Sequence, residues 1–431
     1  MVAGFALVIL LGAGVLSLPA ATTAPGGAPF HTALFQATAA VTLSGMSIVD
    51  VATYWSPFGQ AAILVMIEVG GLGIVTSSLL LLVVVAHRVG LRGRLVAQAE
   101  IHTMDIGGMR RLILTIVGFT LAFQALASAV LFALLMAAGR PAGSAAWEGL
   151  FHGIAAFNNA GISIFPGGLT AYVTNPPILI TIAVAVVIGG LGFPVWLDLR
   201  RHPRRPSRWS VHVKLTLAAT AALLVLGIGL ITLFEWSNPG TFGALSIPDR
   251  LANGVFAGTM PRTAGFNAVD YSAFNQDSLL FTDMLMFAGG GSASVAGGIK
   301  ATTFALLFLV VWAELRGENA VNVFNRRIPV QAQRQALTLT VISMSAVVIG
   351  TLAVLATSDF GLSAVLFEVM AAFTTTGLST GITPDLNAFG RGVLMVLMFL
   401  GRVGPLTLGV ALVLRERERL YSNPEERPIV G

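Results

Sequence analysis

Four short stretches of small and polar residues in this chain each end on a glycine. We call them the four glycine turns: Thr42, Leu43, Ser44 and Gly45; Asn158, Asn159, Ala160 and Gly161; Arg262, Thr263, Ala264 and Gly265; and Thr374, Thr375, Thr376 and Gly377. Glycine adopts backbone dihedral angles that other residues resist, so a stretch that ends on glycine can turn its carbonyl groups inward. Rings of backbone carbonyls are one way in which proteins coordinate a bare cation. The sequence therefore predicts that the four turns together form a cation site.

A second glycine motif follows each turn at a matched distance. GGLG begins at Gly70 and Gly189, GGGS at Gly289 and GRVG at Gly401, which lie 25, 28, 24 and 24 residues after the glycines that end the turns. A single glycine motif would be weak evidence, because many helices end on one. Four motifs at matched offsets indicate a repeated unit of helix, short half-helix, glycine turn and helix.

The composition is that of a polytopic membrane protein. The 431 residues are 55% hydrophobic and 10% charged, with a mean hydropathy of +0.83, whereas a soluble domain is about 25% charged. The chain has no cysteine, which excludes disulfides, thiolate metal sites and cysteine nucleophiles. The first apolar run, residues 2–19, lacks a basic start and a cleavage site, so it predicts a membrane helix rather than a signal peptide.

The predicted fold is an all-α membrane protein with four helix–pore half-helix–helix repeats in a pseudo-fourfold arrangement around a central pore. We expect the repeats at residues 1–86, 87–199, 200–317 and 318–414, with cytoplasmic segments before the second and fourth repeats and a cytoplasmic tail at 415–431. The half-helices are too short to cross a bilayer core of about 30 Å. They must be re-entrant, with their non-helical ends buried in protein or lining water.

Basic residues predict the orientation of the chain. Of the 25 lysines and arginines, 19 fall in three inter-helix segments and the tail, which the positive-inside rule places in the cytoplasm together with both termini. Two of the basic stretches, Arg88 to Arg111 and Asn319 to Arg334, are predicted either as cytoplasmic surface helices or as charge runs that only set topology. The net charge of +5 is accounted for by these loops and does not indicate nucleic-acid binding.

The third repeat breaks the common pattern. Its second helix meets glycines and small residues that do not continue a helix easily, and we expect an intramembrane loop at residues 289–303, called here the interrupting loop. A small-residue loop beneath a cation site predicts a gate, with a simple helix kink as the alternative. The predicted gate residues are Gly289, Gly290, Gly291, Ser292, Ala293, Ser294, Gly297, Gly298, Lys300 and Arg402. Lys300 and Arg402 are costly at membrane depth, and we expect Arg402 to brace the loop.

Other chemistries are poorly supported. GGIKATT is not a phosphate-binding loop, because isoleucine separates glycine from lysine, and no HExxH pairing indicates a metal site. Asp50, Asp270 and Asp385 follow the turns and either raise the local cation concentration or cap loops. Glu68 and Asp283 are functional candidates because they lie within apolar helices. We expect His152 to be a packing residue and the chain not to be an enzyme.

The sequence resembles the Ktr/Trk/HKT superfamily of potassium transporters, and within it the membrane subunits of bacterial Ktr systems. The motifs PRTAGFN, FNNAG, TTTGLSTG, GGGSASVAGGIKATTF, GGLGFPVW and GRVGPLT carry the resemblance, which covers essentially the whole chain. It implies a pore in which K⁺ is held by the carbonyls of Gly45, Gly161, Gly265 and Gly377. Two departures are the loop sequence GGGSASVAGG, where the family often has GGSPGSTAGG, and TLSG in the first turn rather than TVTG.

The resemblance also implies partners and a cellular location. These are a homodimer in the bacterial plasma membrane, docked on a cytosolic nucleotide-binding regulatory ring made by a separate Ktr-type subunit. It implies no cofactor bound by this chain, K⁺ as the transported ion, and leaves a Na⁺ dependence open. The sequence thus predicts a potassium-uptake pore; the alternatives are a sodium-permeable transporter of the same fold, an alternating-access carrier and, from another class, an intramembrane protease using Ser44.

Overall fold

The computed structural model describes residues 2–88 and 106–414, with side-chain surroundings for 2–73 and 113–404. The first predicted repeat contains α1 (Val2–Leu16), α2 (Phe30–Thr42), α3 (Val51–Tyr54) and α4 (Pro57–Arg88). The second contains α5 (Ile106–Ala137), α6 (Ala142–Phe157), α7 (Pro176–Gly190) and α8 (Phe193–Arg201). The third contains α9 (Val211–Glu235), α10 (Ile247–Thr259), α11 (Gln276–Phe287) and α12 (Ala301–Leu315), and the fourth contains α13 (Val330–Leu355), α14 (Leu362–Phe373) and α15 (Ala388–Leu414).

The short helices α2, α6, α10 and α14 are the predicted half-helices. They have 13, 16, 13 and 12 residues, so at 1.5 Å per residue they extend roughly 18–24 Å and fall short of a bilayer core. Each begins after a residue that holds the backbone extended: Pro29, Pro141, Ser246 and Gly361. Each ends within six residues of the glycine of its turn. A short helix that ends just before a glycine turn therefore occurs four times among the described residues.

Several long helices fit a membrane by length and composition. Among the residues whose side chains are described, three helical segments are long and apolar enough to cross it, Ile113–Ala137, Val211–Glu235 and Val330–Leu355. Helices α7 and α8 would supply a fourth span if the bent pair is counted as one.

The second helix of the second repeat is broken into α7 and α8, whereas the repeated unit of helix, half-helix, glycine turn and helix predicts one helix there. The two helices meet at 87°, because Gly192 has a φ of +89° and Pro194 occupies the first turn of α8. A β-carbon at Gly192 would lie 2.5 Å from the carbonyl oxygen of Ser292. The break is therefore where the interrupting loop packs against the second repeat.

Two other expectations need correction or fall outside the described residues. The stretch Asn319 to Arg334 is not a surface helix: it forms a hairpin, β1 (Asn322–Val323) paired with β2 (Arg326–Arg327), before α13 begins. The turn of this hairpin has positive φ at both of its central residues, as two-residue hairpin turns require. In the Arg88 to Arg111 stretch, residues 89–105 lie outside the described residues. The interrupting loop is shorter than predicted, since its last three residues belong to α12.

Candidate ion-binding site

The four glycine turns lie against one another in a closed order. The first contacts the second, the second the third, the third the fourth, and the fourth the first. Each glycine approaches the carbonyl oxygen of the residue before the glycine of the next turn. A β-carbon built on each glycine would lie very close to that oxygen. The distances are 2.9 Å from Gly45 to the Ala160 oxygen, 2.8 Å from Gly161 to that of Ala264, 2.0 Å from Gly265 to that of Thr376, and 2.0 Å from Gly377 to that of Ser44. The fourth turn thus returns to the first, and at each step a side chain would collide with backbone.

The turns share an unusual backbone conformation. The residue two positions before each glycine has positive φ, and so has the glycine itself: Leu43 and Gly45 at 58° and 77°, Asn159 and Gly161 at 54° and 64°, Thr263 and Gly265 at 62° and 68°, and Thr375 and Gly377 at 51° and 83°. A non-glycine residue in this region costs about 1–3 kcal/mol and persists only where the surrounding structure enforces it. Four such residues at the same offset indicate that the site requires this backbone.

The ends of the half-helices produce this conformation. In three turns the backbone N–H one position before the glycine bonds the carbonyl five residues earlier: Ser44 to Ala39 at 2.9 Å, Ala160 to Ala155 at 2.8 Å and Thr376 to Ala371 at 2.8 Å. This is the Schellman ending, which normally uses glycine where these turns have leucine, asparagine or threonine. The third half-helix ends earlier, and there Gly265 N–H bonds the Met260 carbonyl at 3.4 Å.

The carbonyls of the turns are left without donors. Within the described part of the chain, those of residues 42–45, 158–161, 263–265 and 374–377 accept no hydrogen bond, and only the Arg262 carbonyl does so, from Asn159 Nδ2 at 3.2 Å. These residues are buried or half-buried. Buried backbone carbonyls are normally paired. Each turn also follows the C-terminal, partially negative end of a half-helix, which favours a cation.

The second glycine motif has a packing role that explains its spacing. A β-carbon at Gly70 would lie 2.2 Å from the Val41 carbonyl oxygen, one at Gly189 would lie 1.9 Å from that of Phe157, and one at Gly401 would lie 1.6 Å from that of Phe373. Val41, Phe157 and Phe373 each precede the glycine of their turn by four residues. The second helix of these three repeats therefore rests directly on the end of its half-helix, and only glycine allows that approach.

The first residues of the second and third turns point their side chains away from the ring. Asn158 donates to Glu68 Oε2 at 2.8 Å, and Gln124 donates to the same oxygen at 2.8 Å. The Arg262 guanidinium is buried and donates to Thr220 Oγ1 at 3.3 Å and to the Gly289 carbonyl at 3.4 Å. Arg262, which we predicted among the ion-binding residues, therefore supports the turn with its side chain and gives its carbonyl to Asn159.

The interrupting loop packs against three elements. Gly291 N–H bonds the Gly190 carbonyl at 2.8 Å, and Gly298 N–H bonds the Gly401 carbonyl at 3.3 Å. A β-carbon at Gly297 would lie 2.0 Å from Thr375 Oγ1. The loop therefore lies between the end of α7, the middle of α15 and the fourth glycine turn.

The two basic residues at the loop both reach its backbone. Lys300 Nζ donates to the Ala296 carbonyl, within the loop itself. Arg402 Nη1 donates to the Val295 carbonyl, while its Nε and Nη2 have no partner among the described residues. Arg402 thus contacts the loop through one hydrogen bond; its action as a brace stays a prediction.

The acidic candidates separate into surface caps and buried groups. Asp50 and Asp270 are exposed, and each accepts a backbone N–H two residues on, at 3.0 and 2.8 Å, so both cap short helices. Asp385 is exposed and ends a 3₁₀ turn. Asp283 is buried, and its Oδ1 has no partner within the described residues. In the same part of the chain, no group of three histidine or acidic side chains could hold a metal ion.

One set of polar residues beside the turns was not predicted from the sequence. His152, predicted to be a packing residue, lies with Nε2 at 2.9 Å from Ser163 Oγ, and the pairs Gln36–Ser47 and Glu368–Ser379 repeat this contact at 2.7 and 2.6 Å. Each polar residue follows a fully buried phenylalanine of its half-helix, and each serine lies two positions after the glycine of its turn. That matched offset was the signal in the sequence for these pairs. It was hard to recognise because the three half-helix partners are of different residue types, glutamine, histidine and glutamate.

Comparison with known proteins identifies relatives over nearly the whole chain. The chain is 36% identical over 417 residues to Ktr system potassium uptake protein B of Bacillus subtilis, covering 97% of this chain and 93% of that protein. It is 34% identical to the Vibrio alginolyticus protein of the same name, covering 98% and 92%. It is 32% identical to the potassium/sodium uptake protein NtpJ of Enterococcus hirae, covering 100% and 96%.

Structure and family comparisons agree with these relatives. The crystal structure of the potassium transporter TrkH from Vibrio parahaemolyticus matches 96% of this chain and 85% of its own, with a TM-score of 0.71 at 17% identity, so the two share a fold. The family profile described as "TrkH: Cation transport protein" matches residues 16–421. The predicted resemblance is confirmed, and the chain belongs to the TrkH family of membrane cation transport proteins.

Proposed function

We propose that this chain is the pore-forming subunit of a potassium-uptake system in the bacterial plasma membrane. K⁺ is held at the carbonyls of Gly45, Gly161, Gly265 and Gly377, in a pseudo-fourfold pore lined by the four glycine turns. The observation that carries the proposal is the closed sequence of turns whose buried carbonyls accept no hydrogen bond. The names of the relatives from Bacillus subtilis and Vibrio alginolyticus support K⁺ as the ion.

Selectivity follows from the symmetry of the ring. All four positions are glycine, so each repeat contributes a carbonyl from the same backbone conformation and no side chain narrows one quarter of the site. Carbonyl oxygens replace the hydration shell of a cation, and the number and spacing of these oxygens decide which ion is favoured. The four half-helix ends add partial negative charge without a fixed carboxylate.

The interrupting loop is the gate. It packs against the fourth turn on one side and against α7 and α15 on others, and Arg402 holds it through the Val295 carbonyl. Its glycines and small side chains allow a second arrangement at low conformational cost. Displacement of the loop would open a path from the turns toward the cytoplasm.

The assembly we propose is a homodimer, with a nucleotide-binding regulatory ring bound beneath its basic cytoplasmic segments. Two of the relatives are named Ktr system potassium uptake protein B, and the name supports a system with further components. The clustered basic residues support an orientation with both termini in the cytoplasm. The ring then meets the same face of the membrane as the gate.

A second candidate is a transporter of the same fold that also admits Na⁺. The name of the Enterococcus hirae relative, a potassium/sodium uptake protein, favours it. An alternating-access carrier is less favoured, because four units of the same helix order differ from the inverted repeats of that class.

Ion flux into vesicles reconstituted with the purified protein tests the proposal. We expect K⁺ to enter faster than Na⁺ and the rate to rise steadily with the imposed driving force. Equal K⁺ and Na⁺ rates would favour the second candidate, and a rate that saturates with driving force would favour a carrier. Absence of cation flux with or without the regulatory ring would refute both candidates.

A further inference from the structure

Three of the four glycine turns are bridged by a side-chain hydrogen bond. The bridges join Gln36 to Ser47 at 2.7 Å, His152 to Ser163 at 2.9 Å and Glu368 to Ser379 at 2.6 Å, and we call them the turn clamps. The two partners are 11 residues apart in every case. Each half-helix partner is at most 1% exposed.

Each clamp spans its turn from one side to the other. The first partner stands on the half-helix before the turn, and the serine stands on the segment that leaves it. Between them lie the two residues with positive φ. Such a backbone needs enforcement from its surroundings, and a bond across its two ends supplies that enforcement without occupying the carbonyls.

The clamp in the second repeat has a defined polarity. His152 Nδ1 lies 2.7 Å from the Glu148 carbonyl oxygen, which can only accept, so Nδ1 carries the proton. Nε2 of the neutral ring then accepts from the Ser163 hydroxyl. The ring also stacks on Phe165, with centroids 4.0 Å apart. Nδ1 thereby fixes the ring to its own half-helix, and Nε2 holds the exit segment.

The clamp in the fourth repeat is the most extensive. Glu368 Oε1 accepts from the Ser379 hydroxyl at 2.6 Å and the Thr380 N–H at 2.9 Å, and its Oε2 accepts from the Thr383 hydroxyl at 2.6 Å. The exit segment of the fourth turn is therefore fixed at three points, Ser379, Thr380 and Thr383.

The third repeat has no clamp. The residue after its buried phenylalanine is Ala257, which has no polar side chain, and Asn267 replaces the serine. The Asn267 carbonyl instead accepts from Leu169 N–H of the second repeat at 2.9 Å. The molecule thus contains three clamped turns and one unclamped turn.

We propose that the turn clamps are positioning groups that set the spacing of the carbonyl ring and thereby its preference for K⁺ over Na⁺. The inference rests on the proposed function of that ring. A turn without its clamp can relax toward the pore axis, and a ring that closes more easily fits the smaller cation better. The clamps act through the backbone and touch no ion.

The test compares paired variants of Ser163 and Ser379 in reconstituted vesicles. Ser163→Ala and Ser379→Ala remove the hydroxyl and should lower the ratio of K⁺ to Na⁺ flux by roughly three- to tenfold, the range that one hydrogen bond carries. Ser163→Thr and Ser379→Thr retain it and should keep the ratio near that of the wild type. Ser272→Ala, at an exposed serine after the third turn, is the matched control.

Variants of His152 test the same bond from its other side. His152→Gln introduces the residue that the first repeat uses and should preserve the ratio, whereas His152→Ala introduces that of the third repeat and should lower it. Adding Ser163→Ala to His152→Ala should cause less further loss than Ser163→Ala causes alone, because the bond to His152 is already absent and only the bond from Phe165 N–H remains to be lost. A role in folding alone would reduce both fluxes and leave their ratio unchanged.

The outcomes separate the clamps from the ring. If the wild type prefers K⁺ but the ratio of K⁺ to Na⁺ flux is unchanged in Ser163→Ala and Ser379→Ala, the proposed role of the turn clamps is wrong. The proposed function of the chain would be unaffected by that result. A wild type that passes Na⁺ as fast as K⁺ would overturn the selective ring and, with it, the role of the clamps.

Discussion

Replacing Gly377 by alanine should damage the carbonyl ring far more than replacing Gly45. The two glycines have similar φ values, 83° and 77°, so the strain of placing a side chain there, about 1–2 kcal/mol, is common to both. Their neighbours differ: a β-carbon at Gly377 would lie 2.0 Å from the Ser44 oxygen, and one at Gly45 would lie 2.9 Å from the Ala160 oxygen. Because β-carbons do not approach closer than 3.0 Å, the neighbouring carbonyl must retreat by about 1 Å in the first case and about 0.1 Å in the second.

The displaced atom is a carbonyl oxygen of a glycine turn, one residue before a glycine whose carbonyl is proposed to hold K⁺. A 1 Å displacement of a positioned group can cost up to about a hundredfold, so we expect Gly377→Ala to lower the ratio of K⁺ to Na⁺ flux by about tenfold or more. Gly45→Ala should lower it by less than about threefold on the same reasoning. Gly265→Ala should resemble the first variant and Gly161→Ala the second, since their distances are 2.0 and 2.8 Å. Serine substitutions should follow the same order.

The assay is initial K⁺ and Na⁺ entry into vesicles that contain equal amounts of folded protein, checked by size exclusion and thermal unfolding. The comparison is internal, because all four variants add the same side chain to the same backbone conformation. Equal losses at the four positions, or a larger loss at Gly45 than at Gly377, would refute the steric argument. Unchanged selectivity in all four would remove the assignment of the turns as the ion site.

Three further predictions concern packing, the gate and assembly. Gly189→Ala should destabilise the protein by about 1–3 kcal/mol, because its β-carbon would lie 1.9 Å from the Phe157 carbonyl oxygen. Gly229→Ala is the control, since nothing lies within 4 Å of a β-carbon there. Equal melting temperatures of the two variants would contradict the prediction. Deleting Ser292 to Ala296, or making Arg402→Ala, should raise basal K⁺ flux and weaken its dependence on the regulatory ring, whereas loss of flux in folded protein would place the loop in the permeation path. The purified chain should be a dimer by light scattering and should gain flux on binding a nucleotide-loaded ring; full flux without the ring would count against obligate regulation.

The glycine turns could be predicted from the sequence because their backbone geometry admits few residue types. Close approach of two backbones admits only glycine, so each turn, and three of the four second motifs, must carry one at a fixed offset. The residue two positions earlier could not be predicted in the same way. It also has positive φ, but leucine and threonine rarely adopt that conformation, and of the four residues only Asn159 is of a type enriched there.

The broken helix of the second repeat shows where a shared motif misleads. GGLG occurs at Gly70 and at Gly189, yet α4 continues through the first motif and α7 ends within the second. The difference lies in Pro194, which follows only the second motif and cannot continue a helix through its missing N–H. The contact between Gly192 and the Ser292 carbonyl could not be read from either segment alone, since it joins distant parts of the chain.

The departures of the third repeat from the other three all concern the same region. Its half-helix ends early, its turn has no clamp, and its first turn residue is Arg262 rather than threonine or asparagine. Its second helix stops at Phe287, and the Gly289 carbonyl that follows accepts from Arg262. In the proposed function, the four turns form one carbonyl ring, and the gating loop replaces a continuous second helix in the third repeat. The support that the other turns receive from their own clamps and second helices is therefore supplied to the third turn by Arg262, the start of the interrupting loop and the neighbouring repeat.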